Sequence, residues 1–458
     1  MKRPAIMDER SNAVKTPPTL LMNHRVLIIT YHFPPRPTMA AARLKGLAKY
    51  LPEFGWEPVV LTPRLPQSPP PAFHVVETPY PGDAIQMVKR KFGLEPRRGL
   101  QEQVGVPLSV REKKQSPTRK FTHYIKGFIA YPDDKKYWRP YAVAAGLELL
   151  QKGTFDAMLS SFGPPTAHLI ANELKSETGL PWVADFRDLW TQNHYYAYSR
   201  LRKWFESRLE AETMAGADAL VTVSRPLADR LAAAYPNKPV FTIPNGFDPE
   251  EISQETPTPP FTITYTGQLY WGKRDPKLLF QALQELIAEN KIARQDIRIH
   301  FYGPEVYWLD QETQHYGLEG IVRQFGPVSR EEAVSKQRTS QILLLLRWDN
   351  PDEVGVYTGK LFEYLAAKRP ILALGGPEGV VSDLLAETGA GVHATTLKRL
   401  KMQLASWYQA YQQHGVTPYT GDEERILSYS HRAMAKKFAE ALNATAFASS
   451  AIDTFHST

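Results

Sequence analysis

The sequence predicts an α/β protein built from two doubly wound parallel sheets. Short aliphatic and β-branched runs such as RVLIIT (25–30) and ILLLLR (342–347) recur along the chain and read as strands buried on both faces. Stretches with apolar residues at helical spacing separate them. At 458 residues the chain is long enough for two or three domains, each with its own core. In open sheets of this kind ligands sit beyond the carboxyl ends of the strands, where helix N-termini present free N–H groups. Site residues are therefore expected at those ends.

Composition narrows the chemistry. Hydrophobic content of 43% and charged content of 22% are ordinary for a soluble protein. The chain has no cysteine, which excludes disulfides, thiolate nucleophiles and cysteine-based metal sites. No apolar run approaches the ~18–20 residues of a membrane span. Residues 1–23 lack the apolar core of a signal peptide and read as a disordered leader. The net charge of +7 is concentrated: residues 89–126 hold 11 Lys/Arg against 3 Asp/Glu. Three readings of that insertion compete: a solvated loop, a surface for anionic lipid, and a nucleic-acid contact. No nucleic-acid fold surrounds it, so nucleic acid is not expected as a partner.

In chain order, Arg25 to Thr30 reads as the first strand, Tyr31 to Thr38 as a proline-rich loop, Met39 to Leu51 as a helix and Pro58 to Thr62 as the next strand. Asp156 to Ser160 is a strand, Thr166 to Leu174 a helix and Trp182 to Ala184 a strand. Asp185, Arg187 and Asp188 follow it at the carboxyl end, either as site residues or as an ion pair that only shapes the loop. Residues 200–239 continue the alternation, and Asn245-Gly246 marks a linker turn. The second domain opens with FTITYTG (261–267); Lys273 and Arg274 in the following loop suit a diphosphate at a helix N-terminus. In EVGVYTGKLFEYLAAKRPILALGG (353–376), Thr358 is an N-cap, Gly359 starts the helix, and Leu361, Tyr364 and Leu365 form its buried stripe. Arg369-Pro370 ends the helix, Ile371 to Leu374 is a strand, and Gly375-Gly376 turns the chain toward a helix near Val380. Lys360 and Glu363 either serve a ligand or salt-bridge to each other on a solvated face. A helix from about Glu424 to Leu442 closes the fold, and residues 448–458 read as a tail.

Two blocks, TGKLFEYLAAKRPIL and PWVADFRDLW, resemble retaining family 4 glycosyltransferases of the GT-B fold, in a sub-branch with ADFRD at 184–188. The resemblance covers about residues 24–445. It implies an N-terminal acceptor domain (24–242, with the insertion 89–126), a nucleotide-sugar-binding domain (243–425) and a helix crossing back to the first domain (426–447). It places Glu363 on the donor ribose and Gly326, Pro327 and Val328 on the base. It adds Gly267, Gln268, Thr358, Gly359, Lys360 and Leu361 to the donor side. Arg187 stands where most members carry a sugar-contacting histidine, and with Asp185, Lys273 and Arg274 it is the expected catalytic set. Arg43, His168 and Asp188 are expected on the acceptor side; a lone histidine on an apolar helix is also a common packing residue. Gln268 replaces the family's arginine. Of the family's two glutamates, Glu363 is the second; Gly355 holds the first place, and Glu353, two residues earlier, is the donor-side residue that would substitute for it if the loop is remodelled.

The implied reaction moves a sugar from a UDP- or GDP-linked donor to a saccharide or polyprenyl-linked acceptor, as in polysaccharide assembly. Configuration is retained and no metal or other cofactor takes part. The expected location is cytoplasmic, peripheral on the inner face of an anionic membrane. A GT-B binding or scaffold protein without catalysis and a nucleotide-sugar epimerase are the alternatives.

Overall fold

The computed structural model describes residues 24–64, 72–84, 87, 130–196 and 199–447. The leader, the basic insertion at 89–126 and the tail at 448–458 lie outside the described residues.

The first half runs β1 (His24–Ile29), α1 (Met39–Tyr50), β2 (Trp56–Pro63), β3 (His74–Thr78), α2 (Arg139–Lys152), β4 (Ala157–Ser161), α3 (Thr166–Thr178), β5 (Trp182–Arg187), α4 (Arg200–Ala215), β6 (Ala219–Thr222), α5 (Arg225–Ala234) and β7 (Val240–Thr242). The second runs β8 (Phe261–Thr266), α6 (Lys277–Ala288), β9 (Ile297–Tyr302), α7 (Tyr307–His315), β10 (Val322–Gln324), α8 (Arg330–Thr339), β11 (Ile342–Leu346), α9 (Gly359–Ala367), β12 (Ile371–Leu374), α10 (Val380–Thr388), β13 (Gly391–Ala394) and α11 (Leu397–His414). Two closing helices follow, α12 (Glu423–Leu427) and α13 (His431–Ala446).

Two sheets result, ordered β3-β2-β1-β4-β5-β6-β7 and β10-β9-β8-β11-β12-β13. Every paired strand is parallel. Both orders reverse direction after the first strand, so each sheet has a switch point: between β1 and β4, and between β8 and β11. Helices cover both faces of each sheet, which is why the central strands read as unbroken apolar runs. All five residues of β11 are buried.

The structure departs from the sequence expectation in three places. β5 continues past Ala184 to Arg187, because Ser161 and Val221 on either side keep pairing with Asp185; Asp185 is a strand residue, not a loop residue. The closing helix is two helices, because the Ser430 side chain accepts from the Ala433 amide and starts a new one. α9 stops one residue earlier than expected, at Lys368 in the left-handed region (φ 53°).

α13 packs on the N-terminal sheet although it follows the C-terminal one. Met434, Ala435, Phe438 and Leu442 join Val26, Ile28 and Leu44 in one core, and Trp56 Nε1 donates to Asn443 Oδ1 at 2.9 Å. This return ties the halves together and fixes how their switch points face. Among the described residues no helix is long and apolar enough to cross a membrane.

Candidate active site

The C-terminal wall of the cleft is built on the β8/β11 switch point. β8 ends in Gly267, whose φ of +118° is strained for any side chain. A Cβ there would lie 2.8 Å from Lys360 Nζ, so glycine leaves the space that the lysine occupies. Thr358 caps α9, but its hydroxyl bonds nothing in the helix and is buried without a partner. Lys360, in the first turn, points back over the Tyr265 ring, its Nζ 3.8 Å from the ring centre. That Nζ is buried and has no hydrogen-bond partner. Burial, and then the nearby Arg274, push its pKa well below the usual lysine range. An unpaired cation, an unpaired hydroxyl and the free amides of a helix start thus converge beside a glycine, an arrangement made for an anion.

The other cations gather at the same loop. Lys273 Nζ stands 4.0 Å over the Trp348 ring and the Arg274 guanidinium 5.5 Å over Tyr270. Gln268 accepts from the Tyr270 hydroxyl at 3.2 Å. Glu363 does not pair with Lys360: its Oε1 lies 3.5 Å from Arg330 Nε, and its side chain is 23% exposed. Leu361 is fully buried in the core of this domain, so it supports the helix rather than lining the cleft. Gly359 faces Met39 at the start of α1, across the domain boundary. Gly326 accepts from the Gly303 amide at 2.9 Å and leads into the partly exposed Pro327 and Val328.

The N-terminal wall differs from expectation. Asp185 is fully buried and its carboxylate grips Arg43, with Nη2 to Oδ1 at 3.1 Å and Nε to Oδ2 at 3.2 Å. Arg43 also donates to the carbonyls of Ile243 and Pro244 and to Asn245 Oδ1. With every direction of that guanidinium used, neither residue reaches a substrate, and the pair instead ties α1, β5 and the linker together. His168 is likewise buried: its Nδ1 lies 2.7 Å from Ser160 Oγ, among Phe162, Trp182 and Phe186. Burial, and then Arg187, drive its pKa down to about 3.

Arg187, at the end of β5 with φ of 51°, donates to the Phe162 carbonyl and leaves Nε buried without a partner. Burial lowers its pKa, while Asp188 and Asp185 act in the opposite direction. Asp188 is exposed beside it. His32, just past β1, has its pKa lowered to about 3 by burial and then by Arg187. Arg187 and His32 thus share the electrostatic surroundings of the first switch point.

The walls meet at Glu353. This buried carboxylate accepts from the Tyr195 hydroxyl and lies 2.8 Å from His194 Nε2, both on the loop between β5 and α4. Trp348 stacks on Tyr195 with ring centres 5.8 Å apart. Ser224 Oγ donates to the Gly355 carbonyl at 2.6 Å. His32, His194, Tyr195 and Trp348 are site residues that the sequence reading did not name. Their common signal is position: each follows closely on the carboxyl end of β1, β5 or β11. Among the described residues no group of three His, Cys, Asp or Glu side chains is placed to hold a metal ion.

Residues 40–246 match the family model described as a Glycosyl transferase 4-like domain. The chain is similar in structure to Anabaena Alr3699/HepE in complex with UDP and glucose, with a TM-score of 0.54, 13% identity, and coverage of 92% of this chain and 100% of that one. It is also similar to a glycosyltransferase from Rickettsia africae ESF-5 (TM-score 0.50, 12% identity, 93% of this chain and 94% of that one). A sucrose-phosphate synthase from Thermosynechococcus elongatus compares likewise (TM-score 0.50, 13% identity, 94% and 98%). No curated protein matches the chain by sequence. The architecture is the GT-B fold, and the matched domain supports glycosyl transfer as the class of function.

Proposed function

We propose that this protein transfers a sugar from a UDP- or GDP-linked donor to an acceptor, with retention and without a metal ion. The observation that carries the reading is the partnerless Lys360 Nζ at the start of α9, opposite Gly267, in the same turn as the equally partnerless Thr358 hydroxyl. A donor diphosphate supplies the negative charge this pocket lacks. As the anomeric bond breaks, charge grows on the diphosphate while the sugar becomes oxocarbenium-like. Lys360, the α9 amides, Lys273 and Arg274 stabilise that charge from fixed positions. UDP and glucose, the ligands of the Anabaena structure, are the two parts that a UDP-linked sugar donor joins.

Glu363, with its carboxylate only part-buried beside Arg330, takes the donor ribose hydroxyls, and the turn at Gly326 to Val328 takes the base. Arg187 and Asp188 face the transferred sugar and the acceptor, which is a saccharide carried on a polyprenyl lipid. The protein then works at the cytoplasmic face of a membrane.

Product analysis tests the proposal. The protein is incubated with each of a panel of UDP- and GDP-sugars, with and without a polyprenyl-diphosphate saccharide. The expected result is acceptor-dependent release of the nucleoside diphosphate and a new glycoside with the donor's anomeric configuration, unaffected by a chelator. Conversion of the donor without any acceptor would make the protein an epimerase instead.

A further inference from the structure

The first turns of α4 carry an apolar face that the described residues leave open. Leu201, Trp204 and Phe205 are 64%, 53% and 46% exposed, and their spacing puts them on one side of the helix. Arg200, Lys203 and Arg208 are exposed beside them, and the Arg208 guanidinium lies 5.3 Å from the centre of the Trp204 ring. The carboxylates of the same turns face inward. Glu206 is buried against Arg202 and Trp190, and Glu210 is buried against Thr191. From 200 to 208 the outward side therefore presents aromatics and cations and no acid.

Two further observations give the face a direction. Arg202 Nη2 donates to the carbonyls of Ala130 and Pro132 at 3.3 and 2.9 Å. Ala130 follows four residues after the segment 89–126, which by sequence holds 11 Lys/Arg against 3 Asp/Glu. The loop leading into α4 carries His194 and Tyr195 to the cleft. The face thus lies between Ala130 and Pro132 on one side and the loop carrying His194 and Tyr195 on the other.

We propose that the α4 face docks the protein on an anionic lipid bilayer. Leucine, tryptophan and phenylalanine enter the boundary between headgroups and acyl chains, while the arginines and lysine meet lipid phosphates. A second copy of this chain would bring the same positive patch face to face with itself, and the basic insertion carries that sign too. A bilayer of negative charge complements both the apolar and the cationic part. The inference stands apart from the donor chemistry, because its test contains no nucleotide-sugar.

The test is flotation of the full chain with vesicles of phosphatidylcholine alone and of phosphatidylcholine mixed with phosphatidylglycerol. Binding to the mixed vesicles and not to the neutral ones is expected, weakening as salt rises. Trp204→Glu with Phe205→Glu is expected to weaken it at least about tenfold, since two apolar anchors are lost and like charge is added. The thermal midpoint stays unchanged because both side chains are exposed. Replacing Arg200, Lys203 and Arg208 by glutamine reduces the salt-sensitive part. Unchanged binding by the double variant, or equal binding to both vesicles, overturns the proposal. So does a dimer in sedimentation that the double variant dissociates while vesicle binding persists.

Discussion

The two sheets share a strand order and treat charge at their switch points in opposite ways. In the N-terminal sheet Arg43 and Asp185 hold each other in full burial, while Arg187 keeps its Nε buried without a partner and, after burial itself, lowers the pKa of His32 and His168. In the C-terminal sheet the Lys360 Nζ is buried over an aromatic ring without a hydrogen-bond partner, and Glu363 acts on it only through its charge. A cation satisfied from within is a structural tie. One left unsatisfied stores a cost that a bound anion removes. Position at a strand end marks both regions, and pairing separates the Arg43–Asp185 brace from Lys360.

The sharpest contrast comes from removing one cation on each side. Arg43→Ala strands a buried carboxylate and is expected to destabilise the fold by about 3–5 kcal/mol in urea denaturation. A loss under about 1 kcal/mol would show that the pair is not the brace described, since exposed pairs reach only that size. Lys360→Ala reverses the pattern. It removes an isolated cation, so stability holds or rises, while turnover falls about 10²–10³-fold, the size seen for a lost transition-state contact. A stability loss without a turnover loss would make Lys360 a packing residue.

On the N-terminal side His168 gives a pH signature of its own. The folded state holds His168 near a pKa of about 3, whereas in the unfolded chain an imidazole binds its proton near its ordinary value of 6.5. The unfolded state therefore holds more protons between those values, and stability falls as pH drops from about 6.5 toward 3. Each such group contributes a slope of about 1.4 kcal/mol per pH unit. His168→Gln should flatten the profile by that slope, measured as unfolding free energy against pH. Donor binding by the C-terminal site should be untouched by this change.

The smallest expected effect sits where the two regions touch. Tyr195→Phe removes one hydrogen bond to Glu353, worth about 1 kcal/mol. The expected result is an increase of about fivefold in KM for the donor, with the thermal midpoint nearly unchanged. Steady-state kinetics check it; an unchanged KM would mean that the bridge does not bear on donor capture.

The sequence disclosed most of what is periodic or local. Apolar runs such as that of β11 had to be buried strands, and Thr358-Gly359 before Leu361, Tyr364 and Leu365 had to start a helix with one core face. The cation at its first turn was therefore legible as a candidate. What stayed hidden depends on contacts between distant positions. Arg43 lies 142 residues from Asp185, and His194 lies 159 from Glu353, so neither partnership leaves a spacing signal. Asp185 and His168 looked like site residues because they stand in the right segments; burial, which no local pattern reports, assigns them to the core. Lys360 and Glu363 are at ion-pair spacing, yet Tyr265 and Arg330 draw them apart.

The central claim is that the unpaired charge at the β8/β11 switch point receives the donor. Thermal shift with a panel of UDP- and GDP-sugars tests it on wild type, Lys360→Ala, Glu363→Ala and His168→Gln. Ligand bound only to the folded state raises the midpoint by an amount that grows with the logarithm of its excess over Kd. A rise with one nucleotide-sugar is expected in wild type and His168→Gln, lost in Lys360→Ala and Glu363→Ala. A rise that survives Lys360→Ala, or no rise with any donor, would contradict it.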